Sequence, residues 1–447
     1  KFTLPYGYDR LEQFGFTDKE IKAFIPGPAY TAWWLMGNLE GWGGPVTDGM
    51  INRQMEVQKK MLARMKELGI EPILQGFYGM VPSTLQAKFA SAKTVEQGKW
   101  AGGFQRPAML SPQDPLFAKM AKVYYENIRK IYGDCKFFGG DPFHEGGSSK
   151  GLDVSLSAKN IQNEMQSSFP NSTWVLQGWG GNPRKELLKD LQKDKVLVID
   201  LFGENQNNWE TSNAYNGTPW IWSSVNNFGE KPGLYGKLNR IIEEPQRALQ
   251  SPQGKYMKGI GIIPEGILNN PLLYDLALNS AWGKTTDTDN LLLDYAKYRY
   301  GKENDDVLSG LLSLKKSAYI SHTEFQEGCT ESLFSARPAK KIESVSGWGT
   351  RKLFYDYRIV EDALHSFLKA TDTFKNSETF QYDVTDIARQ VVANRGQMAY
   401  DSLMKAFGEK DVASYNSNKK EFVALLQLQE KLMATNKNFF FLTWIKQ

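Results

Sequence analysis

Short apolar runs alternate with amphipathic helical stretches from about residue 50 onward, and this alternation constrains the fold more than any other feature of the chain. Six runs stand out, at 71–77, 137–141, 174–179, 196–202, 219–223 and 259–263. They are mostly apolar from end to end rather than alternating, the pattern of parallel strands covered on both faces. The intervening helices show core spacing. Residues 51–68 place Val57, Met61, Met65 and Leu68 on one face and stop at Gly69. Residues 116–132 do the same with Phe117, Met120, Tyr124, Ile128 and Ile131, and a third helix around Ile161, Met165 and Phe169 ends at Pro170. Right-handed crossovers in series close naturally into a (β/α) barrel. A doubly wound open sheet competes, but no Gly-rich dinucleotide fingerprint follows any strand. After about residue 284 only helical patterns remain, at 289–300, 353–370, 383–407 and 419–434. The expected organisation is an α/β barrel over 1–283 followed by an all-helical domain over 284–447.

In a barrel the C-terminal strand ends surround one shared pocket. Here those ends read Phe77-Tyr78-Gly79, Phe143-His144-Glu145, Gly178-Trp179-Gly180, Phe202-Gly203-Glu204-Asn205, Asn226-Asn227-Phe228-Gly229 and Pro264-Glu265-Gly266. Aromatic, carboxylate, amide and glycine residues therefore gather on one side. Glu265 follows a fully apolar strand and is flanked by Pro and Gly, and Glu145 holds the equivalent place on an earlier strand. Such a pair fits the two-carboxylate machinery of glycoside hydrolysis. The aromatic excess, 12 Trp, 20 Tyr and 25 Phe, suits flat rings stacking on sugar faces as well as it suits an aromatic core. A metal reading would use Asp141, His144 and Glu145. The other two histidines, His322 and His365, fall on helical patterns with no matching carboxylates, so no metal is expected. Lys plus Arg number 54 against 50 Asp plus Glu, too even for a nucleic-acid footprint. No apolar run reaches the roughly 20 residues of a membrane helix. Cys135 and Cys329 are too few for a disulfide framework and read as small buried residues.

Beyond these patterns, the segments Ile25-Pro26-Gly27-Pro28-Ala29-Tyr30-Thr31-Ala32-Trp33-Trp34-Leu35-Met36-Gly37-Asn38-Leu39, Phe77-Tyr78-Gly79-Met80-Val81-Pro82, Leu176-Gln177-Gly178-Trp179, Asn227-Phe228-Gly229 and Pro264-Glu265-Gly266-Ile267 closely resemble the α-N-acetylglucosaminidases of glycoside hydrolase family 89. The likeness runs in order from about residue 6 to the end. It implies a (β/α)8 TIM-type barrel whose first strands are missing from this chain, followed by an all-α domain. It implies a retaining exo-glycosidase that removes terminal, non-reducing α-linked N-acetylglucosamine by double displacement, with no cofactor. By residue-to-residue match Glu145 is the general acid/base and Glu265 the nucleophile, while Trp33, Met36, His144, Trp179 and Phe228 contact the substrate. The chemistry agrees, because the 2-acetamido group of an α-linked sugar lies on the face of the leaving oxygen and cannot attack from behind, so a protein nucleophile is needed. Retention places the two carboxyl groups about 5–5.5 Å apart. The rivals are an exo-glycosidase for a different α-linked sugar and a catalytically silent carbohydrate-binding barrel.

Three departures from the family pattern stand out. His144 replaces the Asn common before the acid/base, and it would either bond the substrate near its 2-substituent or orient Glu145. Met80 replaces a common His. Relatives carry a small domain and two barrel strands before the region matching Tyr6-Gly7-Tyr8, and pocket aromatics after Phe441-Leu442-Thr443-Trp444. The 447 residues alone are therefore expected to be insoluble or inactive. Relatives degrade external glycans in bacteria and heparan-type chains in lysosomes, which points to a bacterial secreted or periplasmic enzyme, or a lysosomal one from an animal.

Overall fold

The computed structural model describes residues 8–231, 233–266, 270–283 and 287–440, with side chains from residue 11 onward. Tyr6, Gly7, Ile267 and the segment Phe441-Leu442-Thr443-Trp444 lie outside the described residues. Among the described residues nine strands form two sheets: β1 (Ile73–Gln75), β2 (Met80–Val81), β3 (Thr94–Val95), β4 (Ala108–Leu110), β5 (Phe137–Gly139), β6 (Thr173–Gly178), β7 (Val196–Asp200), β8 (Trp220–Ser224) and β9 (Met257–Ile262). The main sheet has the order β1-β5-β6-β7-β8-β9, parallel from β1 through β8. Each of its strands falls within or beside one of the six apolar runs. The second sheet, β2-β4-β3, is antiparallel and has no counterpart among those runs, because two-residue strands carry too little pattern to read.

The chain divides into two compact units, one comprising residues 1–201, 208–222 and 252–259, the other 202–207, 223–251 and 260–447. In the first, one face of β5 to β8 is buried through Phe138, Trp174, Leu176, Val198, Trp220 and Trp222, while Phe137, Leu197, Ile199 and Ile221 on the other face are partly buried. The helix Pro115–Tyr132 begins where the Asp114 side chain accepts a hydrogen bond from the Leu116 N–H, with Pro115 at its first position. It buries Phe117, Met120, Tyr124, Tyr125 and Ile128. Tyr125 meets Phe138 edge-on at 5.4 Å, and Trp209 stacks on Trp220 at 5.5 Å. Fully burying side chains of this size contributes about 1.5–3 kcal/mol each, so these contacts fix the strands in which the site is rooted.

One expectation fails here. The helix Asp48–Glu67, started three residues earlier than expected by a Thr47 cap, leaves Val57, Met61 and Leu68 about half exposed, and Gln58 is its one buried residue. The reason is position: β1 ends the sheet with a single described neighbour, and Ile70 and Ile73 beside it are equally exposed. Spacing shows which face is apolar but cannot show whether something covers it.

In the second unit the described elements after β9 are helical, including Thr288–Tyr300, Asp305–Lys315, Tyr357–Lys369, Glu378–Glu409 and Val412–Met433. Tyr300, Phe367, Phe374 and Phe380 make its aromatic core, and the Tyr300 hydroxyl donates to the Asp383 carboxylate at 2.6 Å beside the Arg299 guanidinium. His365 lies on a helix as expected, whereas His322 lies on a loop, stacked on Phe354 at 4.2 Å. Cys135 and Cys329 are both free and buried.

Candidate active site

The first unit assembles a carboxylate site just past the end of β5. The turn His144–Gly146 sets Glu145 in the left-handed region, at φ 45° and ψ 47°, and Phe143 two residues earlier has φ 63°. Two non-glycine residues in this region cost about 1–3 kcal/mol each, and such strain persists only when surrounding contacts over-determine it. Arg106, 4% exposed, supplies those contacts. Its Nη1 donates to the His144 carbonyl and to Asn38 Oδ1, each at 3.1 Å, and its Nη2 donates to the Glu145 carbonyl at 2.6 Å. Gly147 completes the turn because a Cβ there would meet Phe143 Cα at 2.8 Å.

The Glu145 carboxylate is itself held by three donors. Oε2 accepts from Asn38 Nδ2 at 2.7 Å and from Trp100 Nε1 at 2.9 Å, while Oε1 accepts from Trp179 Nε1 at 3.1 Å. Trp33 packs at a tilt against Trp100, ring centres 6.4 Å apart. Asp141 points elsewhere: its oxygens accept from the Gln177 N–H at 2.7 Å and Gln177 Nε2 at 2.8 Å, and burial pushes its carboxyl up. Asp141 and Glu145 thus have their oxygens committed to separate protein donors, which disfavours the Asp141, His144, Glu145 metal reading. No metal-ligand cluster occurs among the described residues.

His144 is 2% exposed, and neither of its ring nitrogens has a hydrogen-bond partner among the described residues. It borders a small cavity of about 20 Å³, shared with Met36, Tyr78, Met80, Arg106 and Asp141. Tyr78 donates to the Leu35 carbonyl at 3.2 Å, and Met80 closes the cavity with an apolar side chain.

Glu265 and Phe228 belong to the second unit. Glu265, exposed, follows β9 and accepts a hydrogen bond from the Gly229 N–H at 2.7 Å. Phe228, half-buried, meets Phe202 edge-on at 5.2 Å. The same unit buries Glu204, whose Oε1 accepts from the Asn226 N–H at 2.7 Å and whose carboxyl burial pushes up to about 7. Lys237, equally buried, is pushed down to about 8 by desolvation and donates to the Glu324 carbonyl at 2.8 Å. A cavity of about 510 Å³ in this unit is lined by Gly229, Glu230, Tyr295, Tyr319 and Asp383 but not by Glu265, so its size does not mark the chemistry.

Of the seven residues singled out from sequence, Trp33, Met36, His144, Glu145 and Trp179 therefore lie in the first unit and Phe228 and Glu265 in the second. Asn38, Trp100 and Arg106 were missed. Asn38 sat inside a motif without an assigned role. Trp100 and Arg106 occupy a stretch with no helical or strand period, where the only hint was a charged residue opening the apolar run Pro107-Ala108-Met109-Leu110.

Residues 7–284 match the family model of the α-N-acetylglucosaminidase TIM-barrel domain, and residues 292–447 match that of its C-terminal domain. The chain belongs to the α-N-acetylglucosaminidase family. Human α-N-acetylglucosaminidase is 27% identical over 450 residues, covering 97% of this chain and 60% of its own length. The family 89 glycoside hydrolase of Clostridium perfringens, in complex with 2-acetamido-1,2-dideoxynojirimycin, superposes with a TM-score of 0.90 at 37% identity, over 96% of this chain and 49% of that one. The same bacterial enzyme with two Glu→Gln substitutions, bound to its substrate GlcNAc-α-1,4-galactose, matches at 36% identity with the same TM-score and coverage. The chain thus spans about half to three-fifths of the length of these relatives. Its fold is that of a glycoside hydrolase with a TIM-type barrel and a helical C-terminal domain, as the resemblance implied. Among the described residues no helix is long and apolar enough to cross a membrane.

Proposed function

We propose that this chain carries the catalytic residues of a retaining exo-glycosidase that removes terminal, non-reducing α-linked N-acetylglucosamine. The observation that carries the reading is the Glu145 carboxylate, fixed by Asn38, Trp100 and Trp179 on a strained turn at a parallel strand's C-terminal end, in a chain of this family. In the first step the Glu265 carboxylate attacks the anomeric carbon, the glycosidic C–O bond breaks, and Glu145 gives its proton to the leaving oxygen. In the second, Glu145 takes a proton from water, whose oxygen displaces Glu265 and releases the sugar as its α-anomer. A bacterial relative complexed with its substrate after two Glu→Gln substitutions supports a mechanism built on two glutamates. Trp33, Met36, Trp179 and Phe228 line the sugar's site, and His144, with two unengaged ring nitrogens in a small cavity, bonds its 2-acetamido group. We assign the barrel domain to residues 1–283 and the helical domain to 284–447, and infer export to the periplasm or outside a bacterial cell, where such glycans lie.

A panel of aryl glycosides tests this. Hydrolysis of the α-N-acetylglucosaminide well above the α-glucoside, α-galactoside and β-N-acetylglucosaminide is expected. Preference for another α-sugar, or binding without hydrolysis, would favour one of the two rivals.

A further inference from the structure

Around the acid/base the first unit arranges a file of five aromatic rings that extends beyond the residues assigned to the terminal sugar. It begins at Trp100, whose Nε1 donates to Glu145 Oε2 at 2.9 Å. Trp33 flanks it on one side at 6.4 Å. On the other side Phe104 lies 6.2 Å from Trp100, Trp42 lies 5.0 Å from Phe104, and Tyr30 lies 6.3 Å from Trp42. Trp42 is 49% exposed and Trp33 40% exposed.

Exposing half of a tryptophan forgoes the burial that usually keeps it inside, so its position needs another reason. Mobility is not that reason, since the backbone around the outer rings is tied on every side. The Trp42 carbonyl accepts from the Gly27 N–H at 2.8 Å, and the flanking Glu40 and Gly41 N–H groups donate to the carbonyls of Gln105 at 2.9 Å and Phe24 at 3.2 Å. Gly41 and Gly43 both take φ 67°, which lets the loop turn out and back around the indole. The 99–105 hairpin is closed by hydrogen bonds from Trp100 N–H to the Phe104 carbonyl at 2.8 Å and from Gly103 N–H to the Trp100 carbonyl at 2.9 Å. A half-exposed indole on a pre-set loop is a surface prepared for a ligand, because little ordering entropy remains to be lost on contact.

The geometry points to Trp42 and Phe104 as a platform for the uncharged glycan on the leaving-group side of the bond, binding the second and later sugars beyond the terminal N-acetylglucosamine. This rests on the reading of Glu145 as acid/base: a group that protonates the glycosidic oxygen sits at the junction between the terminal sugar and the rest of the chain, and the file starts there. Rings take the apolar C–H faces of neutral sugars. The one basic residue within the hairpin is Lys99, the 37–45 loop that carries Trp42 has none, and Arg106 is buried and engaged with Asn38, His144 and Glu145, so these two segments supply no guanidinium or ammonium cluster of the kind a sulfated chain would require.

The test compares kcat/KM of the intact protein on an aryl α-N-acetylglucosaminide with neutral α-N-acetylglucosamine-capped di- and tetrasaccharides. The wild-type protein should prefer the tetrasaccharide to the disaccharide, and Trp42→Ala should lower the tetrasaccharide-to-aryl ratio about tenfold, with Trp42→Phe recovering most of it. Equal rates on di- and tetrasaccharide in the wild-type protein overturn the platform whatever the variants do. So does an unchanged ratio in a Trp42→Ala protein that melts like wild type, or a preference for a sulfated tetrasaccharide over the neutral one. Absence of activity on all three substrates refutes the proposed hydrolase itself, a different outcome from activity without length dependence.

Discussion

Replacing Arg106 by Met tests whether the strained acid/base turn is held from outside. Met keeps the length and most of the volume of the side chain while removing three donated hydrogen bonds, to Asn38 Oδ1, the His144 carbonyl and the Glu145 carbonyl. Hydrogen bonds to charged groups contribute about 1.5–3 kcal/mol each, which bounds the loss from above. Two effects offset it: a buried guanidinium no longer needs desolvating, and Phe143 and Glu145 can leave the left-handed region, recovering about 1–3 kcal/mol apiece. A net destabilisation of about 2–4 kcal/mol remains. The effect on turnover should exceed the effect on stability. A carboxylate free to move by about 1 Å loses on the order of 10²-fold in rate, so kcat on an aryl α-N-acetylglucosaminide should fall by about that factor in protein that is still folded. Arg106→Lys keeps the charge but not the fork, and should fall between. Steady-state kinetics alongside thermal melting checks this. An Arg106→Met protein with kcat within twofold of wild type, or with its loss confined to KM, would refute the idea that the clamp positions Glu145.

Three more outcomes follow from the same geometry. Glu145→Gln should lose most activity on substrates with poor leaving groups but retain rapid release of 2,4-dinitrophenol, which needs no proton, whereas Glu265→Gln should lose both; pre-steady-state release of the phenol separates them. Glu204, with its carboxyl pushed from an ordinary 4.5 to about 7 by burial, binds its proton more tightly folded than unfolded. Its contribution is therefore full below about pH 4.5 and fades as pH rises to about 7, by on the order of 3 kcal/mol, so urea unfolding of Glu204→Gln against wild type should show the variant gaining stability relative to wild type across that window; a difference independent of pH would contradict this. His144→Phe should lower the kcat/KM ratio of α-N-acetylglucosaminide to α-glucoside about tenfold or more, since it leaves the acetamido group unpaired, while His144→Asn should preserve most of the ratio.

The strands were legible because β5 to β8 bury one face and partly cover the other, so both faces carry apolar residues and the runs are nearly uninterrupted; Val196–Asp200 and Trp220–Ser224 lie within or beside those runs. Helix starts were less legible. Asp48–Glu67 begins before its first apolar residue because a Thr47 cap, not periodicity, sets its start, and its exposed apolar face depends on a neighbour that spacing cannot reveal. The six strand ends singled out the carboxylates Glu145 and Glu265, with Trp179 and Phe228 beside them, because parallel strands all deliver their C-terminal ends to one side; the roles of Trp179 and Phe228 came from the family resemblance. Its blind spot was everything that reaches the site from elsewhere. Asn38 arrives from the N-terminal segment, while Trp100 and Arg106 arrive from the irregular segment near the small antiparallel sheet, whose strands Met80–Val81 and Thr94–Val95 are too short to leave a period. Those three make four of the contacts that hold Glu145 and its turn, and only the folded chain brings them together.

The central claim is that two glutamates perform two displacements on one anomeric carbon. A proton NMR time course of the intact protein hydrolysing an aryl α-N-acetylglucosaminide tests it most directly, by recording which anomer of free N-acetylglucosamine appears first. The account predicts the α-anomer at early times, followed by slow mutarotation to the equilibrium mixture. Initial release of the β-anomer would mean a single displacement by water and would contradict the assignment of Glu265 as nucleophile.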